Sequence, residues 1–154
     1  MTTASDTGST NDPFDLNRFL EAQEEGYAQV VSELENGRKR THWMWYIFPQ
    51  IDGLAFSPMS KRYSIKSREE AQAYLRHPVL GSRLQECAEA VVHVEGRSIE
   101  EILGSPDDMK LKSCATLFAF VSSSNSVFER IIEKYYHGEQ DDRTLRLLAD
   151  LKAK

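Results

Sequence analysis

The residues best suited to chemistry lie together. Gly37 to Gln50 read Gly-Arg-Lys-Arg-Thr-His-Trp-Met-Trp-Tyr-Ile-Phe-Pro-Gln, which places three cations, a histidine, both tryptophans and a side-chain amide within fourteen positions. Arg38, Lys39 and Arg40 could anchor a phosphate or carboxylate, since guanidinium offers a planar fork to such groups. They could equally be the solvated basic end of a preceding helix, where positive charge complements the helix dipole. His42 starts from a pKa close to neutrality, which suits a general base or a donor to a ligand. No partner nucleophile accompanies it in sequence, and a histidine bonded to backbone at a helix start is the plainer reading. Trp43 and Trp45 cannot share a helical face, because residues two apart diverge. On a helix one belongs to the core and the other lines a groove, where Trp45 could stack on a planar ligand. Gln50, after Pro49, either orients a ligand or ties down its turn. Tyr63 and Lys112 are added as secondary polar contacts. No His-x-x-x-His or Glu-x-x-His pair occurs, so neither a metal nor another cofactor is expected.

The elements that must position this stretch read as helices. Asp12-Pro13 is a cap and first-turn signal. Leu16, Phe19, Leu20, Gln23, Tyr27, Val30, Val31 and Leu34 then recur at spacings of three and four, which predicts one helix to about Asn36. Gly26 within it implies close packing against an aromatic neighbour. Thr41 is the expected cap of a short helix over 42–48, closed by Pro49. A buried strand is the rival, disfavoured because no second strand is available to pair its backbone. Ser57-Pro58 opens a turn through Tyr63. Ser67-x-x-Glu70 and Ser98-x-x-Glu101 are capping boxes, and Ser105-Pro106 is a further start. The segment from Pro106 to about Ser122 is nearly uncharged after Lys112, which predicts a helix at the centre of a bundle. Val127, Phe128, Ile131, Ile132 and Tyr135 form a further face, and Asp141 or Asp142 starts the last helix. The expectation is all-α, a compact multi-helical single domain of about seven to eight helices over 12–154, preceded by a disordered tail over 1–11.

Composition narrows the function classes. The 154 residues carry 24 acids against 19 Lys plus Arg, a net charge of −5. That disfavours general nucleic-acid binding, which needs an excess of base. No apolar run approaches the roughly 20 residues of a membrane span, and no signal-peptide pattern opens the chain, so a cytoplasmic location without membrane contact is expected. Cys87 and Cys114 sit in apolar helical patterns and read as small buried hydrophobes.

The Gly37–Gln50 stretch, with Ser-Pro-Met-Ser from Ser57, Ala-Tyr-Leu-Arg-His-Pro-Val-Leu-Gly from Ala73 and Gly-Ser-Pro-Asp-Asp-Met-Lys-Leu-Lys-Ser from Gly104, resembles the all-helical family catalogued as domain of unknown function 1810. The resemblance spans about Asp12 to Leu148. It implies a compact helical domain and carries no catalytic residues with it, so whether the chain is an enzyme stays open. Two functions fit these residues. One is a domain binding a small anionic ligand, nucleotide-like or sugar-phosphate, in a groove made by Arg38, Lys39, Arg40, His42, Trp45, Gln50, Tyr63 and Lys112. The other is a protein-interaction module, its partner unspecified, whose aromatic stretch is only core.

Overall fold

The computed structural model describes residues 12–153; the expected disordered tail lies outside the described residues. Ten helices occur among them: α1 Asn17–Gln23, α2 Tyr27–Glu35, α3 Met44–Ile47, α4 Pro58–Arg62, α5 Arg68–Arg76, α6 Leu80–Val92, α7 Ile99–Leu103, α8 Asp107–Phe120, α9 Val127–Tyr136 and α10 Asp142–Ala153. The all-α class holds, and the count exceeds the expected seven to eight. One reason is that the predicted first helix is two, α1 and α2, broken at Gly26. Nothing lies within 4 Å of a Cβ built on that glycine, so close aromatic packing does not explain it. Gly26 is instead the cap residue of α2, at φ −111° and ψ 2°. The other reason is that the segment expected only as a turn before Tyr63 forms a helix of its own, α4.

The polar punctuation explains most boundaries. Ser57, Ser67, Ser98 and Ser126 each accept the backbone N–H three residues on, which satisfies a donor the helix start leaves free. Ser98–Glu101 forms the complete reciprocal box. Ser67 caps α5 but its box stays half-made, because Glu70 turns away to accept from the Lys66 N–H (2.8 Å) and from Arg18 (2.7 Å). Asp12 also caps, accepting from Leu16 and Asn17 N–H. Asp15 lies at φ +53°, outside the helical region, and the helix begins only at Asn17. At α8 the cap position belongs to Pro106 rather than Ser105, no side chain caps it, and the Ser105–Pro106 peptide is cis.

α8 is central. Leu111 and every residue from Ser113 to Ala119 are buried, and the helix packs against α9, α7, α10 and α5. After Lys112 the helix carries no charge, and from Ser113 to Ala119 it presents no face to solvent. The buried apolar side chains form one cluster, with Trp43, Tyr74, Phe19, Phe48, Phe118 and Phe128 as its largest members. Cys87 and Cys114 are both buried and free. Among the described residues no helix is long and apolar enough to cross a membrane.

α5 and α6 meet at Gly81. A Cβ there would stand 2.1 Å from the Leu75 carbonyl oxygen, a backbone atom that cannot swing aside. Gly81→Ala is therefore expected to cost about 2–3 kcal/mol through overpacking, measurable by urea denaturation.

The connection from α3 to α5, Phe48–Ser67, is pinned at its base by one parallel bridge between Ile51 and Ile65. The Asp52 N–H donates to the Ile65 carbonyl and the Ile65 N–H to the Gln50 carbonyl, both at 2.8 Å. This pairing returns the chain so that Tyr63, at the end of α4, packs against Tyr46 of α3, and it frames the candidate site.

Candidate functional site

Gly37, at φ +73°, stops α2, and the Lys39 N–H then donates to the Ile102 carbonyl at 2.7 Å. That bond turns the basic triplet across the molecule and separates its members. Lys39 points inward, its side chain 8% exposed and 3.0 Å from Asp107, with its ammonium 5.1 Å from the Trp43 ring centroid. Arg38, Arg40 and His42 are exposed. The triplet is thus no single anion fork.

The organiser of this segment is Glu33, a residue the apolar pattern of α2 passes over. Its carboxylate, 2% exposed, accepts from the Arg40 N–H (2.8 Å), the Thr41 N–H (3.1 Å), the Thr41 hydroxyl (2.7 Å), the Trp43 indole N–H (2.9 Å) and the Gln29 amide (2.9 Å). Burial alone would raise its pKa. Those donors outweigh burial and hold it down at about 2, because they bond the charged form. Thr41, expected to cap the short helix, serves Glu33 instead, and Trp43 occupies the cap position of α3 without a side-chain cap.

Trp43 is core and Trp45, half-buried, is wall. Trp43→Phe keeps most of the ring volume but removes a donor to Glu33, and should cost about 1–2 kcal/mol. Trp45→Phe should change the melting temperature little, since Trp45 stays partly in solvent; thermal denaturation of the pair checks the contrast.

Trp45, Gln50 and Tyr63 do come together. With Ser60, Ser64 and Lys110 they line a crevice between α3, α4 and α8. Its cavity volume is about 10 Å³, enough for one water. The Lys110 ammonium lies 5.4 Å from the Trp45 ring centroid. It shares Asp107 with Lys39, at 3.7 Å against 3.0 Å, so two ammonium groups face one carboxylate. Tyr63 is buried, accepts from Arg62 Nε at 3.2 Å, and packs edge-on against Tyr46. Burial, with Tyr63 alongside, raises the Tyr46 pKa.

Lys112 is elsewhere. Its ammonium pairs with Glu139 at 3.4 Å and sits over the Tyr136 ring. Two positions along a helix reverse the face, so Lys110 reaches Trp45 where Lys112 does not. The spacing of Lys110 three residues after Asp107 was the available signal. Of the eight expected residues, the crevice gathers Trp45, Gln50 and Tyr63. Lys39 joins through Asp107, while Arg38, Arg40, His42 and Lys112 stay outside its lining.

Burial pushes the Cys87 thiol up to about 12 and raises Cys114 as well, which suppresses the nucleophilic thiolate. Among the described residues no group of three His, Cys, Asp or Glu side chains gathers to hold a metal.

A family model described as protein of unknown function (DUF1810) matches residues 13–148. Among solved structures, the crystal structure of the conserved hypothetical protein Rv1873 from Mycobacterium tuberculosis is similar, with 57% identity, a TM-score of 0.88, and coverage of 90% of this chain and 99% of that one. Among curated proteins none matches. The chain belongs to the DUF1810 family.

Proposed function

We propose that this protein recognises a small anionic group at the mouth of the crevice beside Trp45. The observation that carries the reading is the Lys39–Asp107–Lys110 trio, whose two ammonium groups share one carboxylate. One positive charge is left over beside an aromatic wall, and Lys110 is its nearer bearer. Gln50 and Ser60 supply neutral polar groups at the same place. A carboxylate or phosphate head would rest against Lys110 with the rest of the ligand outside. A pocket enclosing a whole nucleotide needs some hundreds of Å³, so the head group rather than a base is what this crevice admits.

A thermal-shift panel of inorganic phosphate, sugar phosphates, nucleotides and small dicarboxylates tests the reading. Ligand at about a hundredfold excess over its Kd should stabilise the native state by about 2.7 kcal/mol. Lys110→Ala should abolish the shift and His42→Ala should keep it. A shift lost with His42 but kept without Lys110 would move the site to the basic triplet, and no shift at all would sink the proposal.

The second reading, a protein-interaction module, is favoured by a different observation: Trp43 is core, and the donors around it are taken up by Glu33.

A further inference from the structure

The connection Phe48–Ser67 has a second working face. Phe14, Asp15, Pro58, Lys61, Arg62 and Lys66 line an open groove of about 470 Å³, sharing no residue with the crevice. Phe14 and Pro58 supply apolar surface. Lys61, Arg62 and Lys66 set three positive charges against Asp15, in a chain whose net charge is −5. The other charged pair at the groove, Arg18 and Glu70, is bonded to itself at 2.7 Å. Among the described residues none of the three rim cations forms an ion pair. Their polar partners are neutral: Arg62 donates to the Tyr63 hydroxyl, and Lys66 to the Ser64 hydroxyl (2.9 Å) and Lys61 carbonyl (3.2 Å). The same connection carries Phe56, 70% exposed, and Met59, 38% exposed, with the Lys61 ammonium 6.0 Å from the Phe56 ring centroid. Exposed aromatic and methionine side chains beside unpaired cations make a surface complementary to alternating acidic and apolar groups.

We propose that this groove docks an extended acidic peptide segment of a partner protein, its carboxylates on Lys61, Arg62 and Lys66 and its apolar side chains against Phe14 and Pro58 and, at the edge beside Lys61, Phe56. The inference deepens the interaction-module reading and is independent of the crevice. The net negative charge of the protein opposes an anionic membrane or nucleic acid.

The test is fluorescence anisotropy with a labelled peptide of alternating glutamate and phenylalanine, a glutamine–phenylalanine peptide of equal length, and phosphatidylserine vesicles. The acidic peptide should bind saturably and weaken as salt rises. The double change Lys61→Glu/Arg62→Glu and the single change Phe56→Ser should each weaken it by about tenfold or more; because Arg62 also donates to Tyr63, the single change Lys61→Glu, at an exposed side chain, should weaken binding in the same direction with the melting temperature unchanged. Lys110→Ala should leave it intact, which separates failure here from failure of the crevice reading. No binding of the acidic peptide, equal binding of the neutral one, or indifference to all three substitutions would overturn the proposal. Binding to vesicles without binding to peptide would overturn it in favour of a membrane surface.

Discussion

Arg18→Ala should lower stability by about 3–5 kcal/mol, because it strips a buried carboxylate of its countercharge. Arg18 and Glu70 are 8% and 2% exposed. The guanidinium has five N–H donors, and five oxygens receive them. Nε donates to the Arg62 carbonyl, Nη1 to the Phe14 and Asp15 carbonyls, and Nη2 to the Ser64 carbonyl and to Glu70, all between 2.7 and 2.8 Å. One side chain thus clamps the entry to α1, the end of α4 and the start of α5. Replacing both partners by apolar residues, as in Arg18→Met/Glu70→Leu, usually rescues a buried pair. Here rescue should be partial, since four carbonyl oxygens and the Lys66 N–H would still lose their partners. Urea denaturation of the two single variants and the double measures it. Full recovery in the double variant would mean that the backbone contacts of Arg18 contribute nothing.

Glu33→Ala should cost about 3–4 kcal/mol, since hydrogen bonds to a charged acceptor are worth more than neutral ones and the buried Trp43 indole N–H is left unpaired. The same carboxylate sets a pH dependence. Its folded pKa is about 2 against an ordinary 4.5, so the unfolded chain takes up a proton at a pH where the folded chain refuses it. The stability it contributes is complete above about pH 4.5 and is lost as pH falls toward 2. Denaturation midpoints of the wild type should fall through that window. Those of Glu33→Gln should start lower and fall less. Equal slopes in the two proteins would show that Glu33 does not titrate as described.

The helices were legible because their signals are local: serine caps, helix-breaking glycines and the uncharged run in α8 all act within a few residues. The break between α1 and α2 was not, because the apolar spacing from Leu16 to Leu34 continues across Gly26 without interruption. The site was half legible. Trp43 and Trp45 do diverge, one to the core and one to the crevice wall, although Trp43 sits at the cap position just before α3 rather than within it. What sequence could not supply is the long-range pairing. Glu33 reads as a surface glutamate on α2 until the following turn delivers four donors to it, and Glu70 reads as half of a capping box until it turns to Lys66 and Arg18. Lys110 and Lys112 look alike in the chain, and only the packing of α8 against Trp45 on one side and Tyr136 on the other separates them.

On the proposed reading the indole of Trp43 belongs to the fold, while Trp45 and Lys110 form the cationic recognition point. The two tryptophans give two indole N–H resonances, so tryptophan-labelled protein titrated with inorganic phosphate in a heteronuclear NMR experiment reads both at once. The Trp45 signal should shift saturably, the Trp43 signal, bonded to Glu33, should stay in place, and Lys110→Ala should silence the response. A Trp45 resonance that does not move in the wild type, or one that moves equally without Lys110, would contradict it.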